Sequence, residues 1–374
     1  MKILSIYWGL SVGGVAKYAA TLVRVCEHTP VQLRSLCLLP VGREVDQDVL
    51  AMLDAVTIPV RSVVDLSWVS SVRKAIAEEE PDCVISHGFN GHFVSLLATM
   101  GGRQYIKRLA SYHGAYHPNT PIRRLVSPLY NGFTNWFLAN KACAIVCVAQ
   151  CCVKTLAELG VPASKFTVVH NGIPALTHVP DRRGAIRKEW GFDQSHVIVG
   201  IASRFEKIKG LDYLIQSFAQ TVNTHENIRL VLIGDGSQRE SLQQLAVALG
   251  VDTKVSFMGT RSDIPDCLSA MDIFSLPSLS EAHSIGLLEA MRAGKAIVAT
   301  DVGGNTESVS HEKEALVVNA GDCNALADAL SRMVSDAQLR DKLGEAARKR
   351  FNAEFTENAM LEKTARWLTK VCCN

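Results

Sequence analysis

No run of about 18 apolar residues, the length a membrane-spanning helix needs, occurs in this chain, although 48% of its residues are hydrophobic. An integral membrane protein is excluded. The opening segment, Met1 to Tyr7, is too short for the apolar core of a signal peptide and is soon interrupted by Gly9, Gly13 and Gly14, so it reads as a first strand. An excess of charge of one sign is also lacking. A net charge of +2 argues against a nucleic-acid protein. The eleven cysteines show no zinc-knuckle spacing: they sit in apolar runs (Cys83, Cys143, Cys147) or as the neighbours Cys151-Cys152 and Cys372-Cys373. That pattern points to reduced core thiols in a cytoplasmic protein, and no metal site is expected. Short-period repeats are absent, which excludes a solenoid.

What is present begins with length. A single core stops growing at roughly 250 to 300 residues, so 374 residues imply two domains and a cleft. Apolar runs at Ile3–Tyr7, Val31–Leu38, Cys83–Ser86, Ile106–Ser111, Ala144–Val148 and Phe166–Val169 alternate with segments of helical period. The pattern restarts with Val197–Ala202, Arg229–Ile233, Val255–Met258, Ile273–Leu276 and Ala296–Ala299. Such alternation predicts α/β domains with parallel, doubly wound sheets. A Pro- and charge-rich passage from Asn171 to Gly184 separates the series, so domains are expected over 1–174 and 175–354. Residues 355–374 would form a C-terminal helix that crosses back.

Residues 100 to 170 carry Arg103, Lys107, Arg108, Arg123, Arg124, Lys141, Lys154 and Lys165 against Glu158 alone, interleaved with Tyr105, Tyr116, Tyr130, Phe133, Trp136 and Phe137. A solvated rim and an anionic-membrane docking surface both fit this composition.

Several loops could carry chemistry. Gly13-Gly14 follows the first strand and precedes a helical segment, where backbone amides can approach an anion; a tight turn is the plain alternative. Gly234-Asp235-Gly236 also follows a strand, but Arg239 stands where a dinucleotide fingerprint needs its third glycine, so it reads as a strand-end turn. Ser203-Arg204-Phe205-Glu206-Lys207-Ile208-Lys209-Gly210 puts Arg204 and Lys209 at the carboxyl end of a strand, where two cations can neutralise a diphosphate. Surface charges capping a turn are the alternative there. The most informative run is Pro277 to Gly294, in which Glu281 and Glu289 stand eight positions apart across a loop-to-helix junction. With a helix starting near Ser284, the amides of Ile285, Gly286 and Leu287 would form an anion-binding terminus beside two carboxylates suited to vicinal hydroxyls.

This run resembles the Glu-x7-Glu signature of the family 4 retaining glycosyltransferases, and Gly294-Lys295-Ala296 through Thr306-Glu307 continues it. Tyr112-His113-Gly114, Val169-His170-Asn171-Gly172-Ile173-Pro174 and Phe257-Met258-Gly259 occur in the same order as in that family. The resemblance implies a GT-B architecture, two Rossmann-like domains facing across a cleft, and a donor that is a nucleotide-diphosphate sugar, UDP favoured and GDP possible, with no tightly bound cofactor. It further implies that Arg204 and Lys209 bind the diphosphate, Glu289 the ribose, and Glu281 with Ser284 and the following amides the transferred sugar. Gly13 and Gly14 would close over that sugar, His113 would contact it, and Arg261 and Asp263 would lie near the base. His87 and His92 have no counterpart and read as loop or core histidines. Ala282-His283 stands where many relatives have Gly-Phe, which bears on the donor sugar.

The expected activity is metal-independent transfer, with retention, to a hydroxyl of a glycan or lipid-linked acceptor in bacterial envelope polysaccharide or lipopolysaccharide assembly. It would take place in the cytoplasm or at the inner face of the plasma membrane. A nucleotide-sugar epimerase or hydrolase of the same fold, and a non-catalytic nucleotide-sugar-binding module, are the competing readings.

Overall fold

The computed structural model describes residues 2–10, 14–27, 31–42, 45, 47–62, 65–100, 106–114, 121–175 and 182–373. It divides into two compact units, Met1–Asn171 with Glu357–Asn374, and Gly172–Thr356.

In the first unit the strands are β1 (Lys2–Trp8), β2 (Gln32–Pro40), β3 (Val56–Val60), β4 (Cys83–His87), β5 (Lys107–Tyr112), β6 (Ala144–Cys147) and β7 (Phe166–Val168). They form one parallel sheet in the order β3-β2-β1-β4-β5-β6-β7. Central strands are covered on both faces, so they are apolar throughout rather than alternating, as Ile3, Leu4 and Ile6 or Val84 and Ile85 show. The polar residues inside them, Ser5, Ser86 and His87, are therefore buried as well.

The helix Glu357–Cys373 belongs to this unit. Its Met360, Trp367 and Leu368 are buried with Ile3, Tyr18 and Leu22, and Glu357 pairs with Arg24. Each such apolar side chain withdrawn from water contributes about 1.5–3 kcal/mol. The docking is therefore firmly held.

The second unit contains β8 (Val197–Ala202), β9 (Ile228–Ile233), β10 (Val255–Gly259), β11 (Ile273–Leu276), β12 (Ala296–Thr300) and β13 (Leu316–Val318). Their order is β10-β9-β8-β11-β12-β13, again parallel. Both units are Rossmann-like. The two strands without a counterpart in the sequence reading, β3 and β13, are edge strands. β3 contains Pro59 and buries only Val60, and β13 spans three residues, so neither has the long apolar run that marks a central strand.

Winding reverses between β1 and β4 in the first sheet and between β8 and β11 in the second. Loops leaving the carboxyl ends of such a strand pair diverge, and the crevice between them is where open α/β sheets hold ligands. No helix among the described residues is long and apolar enough to cross a membrane.

Candidate functional site

The loop leaving β8 is built around Phe205, which is fully buried and donates its N–H to the Asp235 carbonyl at 2.8 Å. Gly234 makes this possible, because a Cβ there would lie 1.9 Å from the Ser203 carbonyl oxygen. The Gly234-Asp235-Gly236 turn thus braces the neighbouring loop. After a single turn at Lys207–Lys209 the chain passes through Gly210 at φ +62°, where an added Cβ would collide with the Pro277 carbonyl oxygen at 2.2 Å, and enters the helix Leu211–Val222. Arg204 is exposed and its side chain makes no hydrogen bond or ion pair among the described residues.

Lys209 turns inward. Its Nζ donates to Glu281 Oε1 at 2.6 Å, and the Ser278 hydroxyl donates to the same oxygen at 2.7 Å. The pair is largely withdrawn from solvent, the side chains being 18% and 10% exposed. Glu281 comes from the loop after β11, at the other side of the winding reversal, and that loop is tied down by Leu279 N–H to the Ile208 carbonyl and by Thr300 Oγ1 to the Ser278 carbonyl. Gly303, at φ +51°, lies against the Glu281 backbone, where a Cβ would sit 1.7 Å from the carbonyl oxygen. His283 is buried, its Nε2 3.1 Å from Ser308 Oγ and its ring beside Phe355.

The next helix, Ile285–Arg292, starts one residue later than Ser284, which is its N-cap: Ser284 Oγ accepts from the Leu287 amide at 3.3 Å. The Leu287 N–H is therefore already bonded, and the amides left open at this terminus among the described residues are those of Ile285 and Gly286. Glu289 is half-buried on the second turn and acts electrostatically on Arg292, whose Nη1 donates to the Pro174 carbonyl. Arg204, Lys209, Glu281, Ser284, Ile285, Gly286 and Glu289 thus belong to the two segments that leave β8 and β11. That arrangement offers two cations, two amides at a helix start and two carboxylates, a set matched to phosphate and hydroxyl groups together.

Arg261 and Asp263 are differently placed. The guanidinium makes a two-pronged pair with Asp263 at 2.8 and 2.6 Å and reaches Glu189 as well, which raises its pKa and holds the Asp263 carboxyl below the ordinary range. Their side chains are bonded to one another. Gly13 lies outside the described residues, as do Arg103, Tyr105 and Tyr116; Gly14 opens the helix Gly14–Glu27.

In the first unit His113 follows β5 and is partly exposed, whereas His87 and His92 are buried. Burial pushes the His113 pKa down to about 4, that of His92 to about 3 and that of His87 well below its ordinary value. His87, set apart from the site by its sequence, is joined to His113 through Ser111, with Nδ1 2.6 Å and Nε2 2.9 Å from the hydroxyl oxygen. Ser278 and Gly303 are likewise part of the site without standing out in the sequence. A single serine or glycine carries no pattern until the loops are assembled.

Two family patterns match the chain in tandem, Glycosyltransferase Family 4 over residues 12–175 and Glycosyl transferases group 1 over residues 182–350. The chain belongs to the family 4 glycosyltransferases. Among curated relatives, this glycosyltransferase is 27% identical over 301 residues to N-acetyl-alpha-D-glucosaminyl L-malate synthase of Bacillus anthracis, covering 80% of this chain and 77% of the relative. It is 27% identical over 368 residues to the lipopolysaccharide core biosynthesis glycosyltransferase LpsD of Rhizobium meliloti, covering 97% and 96%. Among solved structures, Anabaena HepE in complex with UDP-glucose aligns over 99% of this chain and 100% of its own, with a TM-score of 0.84 at 22% identity. The match confirms the GT-B fold expected from the sequence.

Proposed function

We propose that this glycosyltransferase moves a sugar from a UDP-sugar to a hydroxyl of a glycan or lipid-linked acceptor, with retention of anomeric configuration and without a metal ion. The observation that carries the reading is the Lys209–Glu281–Ser278 cluster beside the open amides of Ile285 and Gly286. An ammonium has three N–H donors and Glu281 occupies one, so Lys209 can bind a phosphate oxygen without releasing the carboxylate. Arg204, whose guanidinium has no partner among the described residues, supplies the second cation. Together with the helix terminus these groups offset the charge that grows on the leaving diphosphate, the task a metal would otherwise perform. The remaining Glu281 oxygen and the Ser284 hydroxyl face sugar hydroxyls, Glu289 holds the ribose, and His113 contacts the transferred sugar.

Retention follows if the incoming hydroxyl attacks from the face that the diphosphate leaves, with a phosphate oxygen taking its proton. The UDP in the HepE complex supports the choice of base, and the LpsD relative supports an acceptor in bacterial envelope polysaccharide or lipopolysaccharide assembly. UDP is expected to raise the melting temperature of the purified protein where GDP does not, and Glu289→Ala should abolish the shift. Proton NMR of the new linkage should give the donor's anomeric configuration; an inverted centre, or a shift with neither nucleotide, overturns the proposal.

A cytoplasmic enzyme with peripheral membrane contact fits the helix Pro121–Asn140. Leu125, Leu129 and Trp136 are exposed on it at helical spacing, Lys141 lies 5.3 Å from the Trp136 ring, and the helix contains no acidic residue. Sedimentation with liposomes should increase with anionic lipid content and fall for Leu125→Ser with Trp136→Ser. Equal sedimentation with neutral lipid removes the membrane from the proposal.

A further inference from the structure

Polar side chains on the adjacent strands β1, β4 and β5, with His113 just after β5, form one continuous chain of hydrogen bonds. Ser5 Oγ lies 2.9 Å from His87 Nε2, His87 Nδ1 lies 2.6 Å from Ser111 Oγ, and Ser111 Oγ lies 2.9 Å from His113 Nε2. Ser5, His87 and Ser111 are buried, and Tyr7 stacks on the His87 ring at 4.5 Å with 2° between the planes. Tyr18 meets the His113 ring edge-on at 4.9 Å. Each ring thus rests against an aromatic neighbour.

A neutral imidazole has one N–H and one bare nitrogen, and a serine hydroxyl has one proton, so the direction of one bond in this chain dictates all the others. Ser5 decides it. Its hydroxyl is fully buried and has His87 Nε2 as its one partner among the described residues. Were His87 to donate from Nε2, the Ser5 proton would be buried with no acceptor, the arrangement that folded proteins avoid. Ser5 therefore donates to Nε2, and the His87 proton sits on Nδ1 and is given to Ser111. The Ser111 proton then goes to His113 Nε2, leaving the His113 proton on Nδ1. That nitrogen has no partner among the described residues, and His113 is partly exposed.

We propose that Ser5, His87 and Ser111 are positioning residues that hold His113 as the Nδ1–H tautomer, so that it presents a hydrogen-bond donor to an oxygen of its ligand, a hydroxyl of the transferred sugar. The ligand assignment rests on the reading of His113 given above; the tautomer does not. Burial keeps both imidazoles neutral at ordinary pH, as the chain requires.

The test is two-bond nitrogen–proton NMR of the full-length protein labelled with nitrogen-15 histidine, with His113→Asn used to assign the His113 signals. His87 and His113 should both show the Nδ1–H pattern. Ser111→Ala should leave His113 a mixture of tautomers and lower kcat by about tenfold, the loss of one oriented hydrogen bond, with little change in KM. Ser111→Thr, which keeps the hydroxyl, should restore both. Ser5→Ala should mix the His87 tautomers from the far end of the chain, and it provides the same test if Ser111→Ala does not fold. A wild-type His113 carrying its proton on Nε2, or a tautomer unmoved by both alanine variants, overturns the inference. A tautomer that switches while turnover stays unchanged upholds it and overturns the sugar contact instead.

Discussion

Lys209→Met is expected to lower kcat by about 10²- to 10³-fold, the range found when one preorganised charge partner of a developing anion is removed. The variant also removes the partner of a carboxylate that is only 10% exposed. Breaking a buried pair from one side typically costs about 3–5 kcal/mol, because the remaining charge is stranded. Ser278 stays bonded to Glu281 and moderates that cost. Glu281→Gln should likewise be destabilising, and it should lower turnover more than Glu289→Ala, since Glu281 holds the lysine and, in the proposed function, faces the sugar as well. The double variant Lys209→Met with Glu281→Gln distinguishes this account from two independent effects. It removes both charges together, so its loss of stability should fall short of the sum of the two single losses by more than about 0.5 kcal/mol, the usual limit of additivity for independent sites. Hydrogen exchange of the β8 and β11 loops in the four proteins measures this coupling, and strict additivity would mean that the pair does not form.

Mild acid is expected to unfold the first unit before the second. His87, His92 and His113 have folded pKa values depressed below the unfolded value of about 6.5, to about 3 for His92 and about 4 for His113. The unfolded chain therefore binds more protons at these sites than the folded chain over that interval. Stability must then fall as pH drops from about 6.5 toward 4, by up to about 1.4 kcal/mol per pH unit for each histidine. Above pH 7 the contribution is complete and flat. His92 gives the clearest test. Its ring stacks on Phe137 at 4.9 Å and 13°, its Nδ1 lies 2.9 Å from Ser86 Oγ, and its Nε2 is buried without a partner among the described residues. His92→Phe keeps the stacking and removes the titrating group, and Ser86 retains its bond to the Leu109 carbonyl. The variant should gain stability over wild type at pH 5 and less at pH 8, seen as slower exchange of β1, β4 and β5 amides. An equal difference at both pH values would show that His92 does not titrate on unfolding.

Glu281 and Glu289 were visible in the sequence because the features that mark them are local: a strand, a loop, a helix start and two carboxylates within a few turns of chain. Arg204 and Lys209 stood out for the same reason, lying directly after a strand and before a helix. The types and position of Arg261 and Asp263 suit a ligand contact, and the folded chain adds what the sequence does not show, that Arg261 bonds to both Asp263 and Glu189. The edge strands β3 and β13 escaped because an edge needs little apolar surface, and apolar pattern is what identifies a strand without coordinates.

The amino-acid sequence by itself determined the two α/β units, the central strands and the glycosyltransferase motifs, since each rests on periodicity or spacing within some twenty residues. Tertiary structure alone decided how Lys209 meets Glu281, 72 positions away, and how Ser5, His87, Ser111 and His113 become one chain. Those contacts depend on strand order and register: β1 pairs with β4 and β4 with β5, and His87 stands opposite Ser111. A shift of one residue would turn these side chains to the other face of the sheet, so their meeting is a property of the register and cannot be read from any one segment.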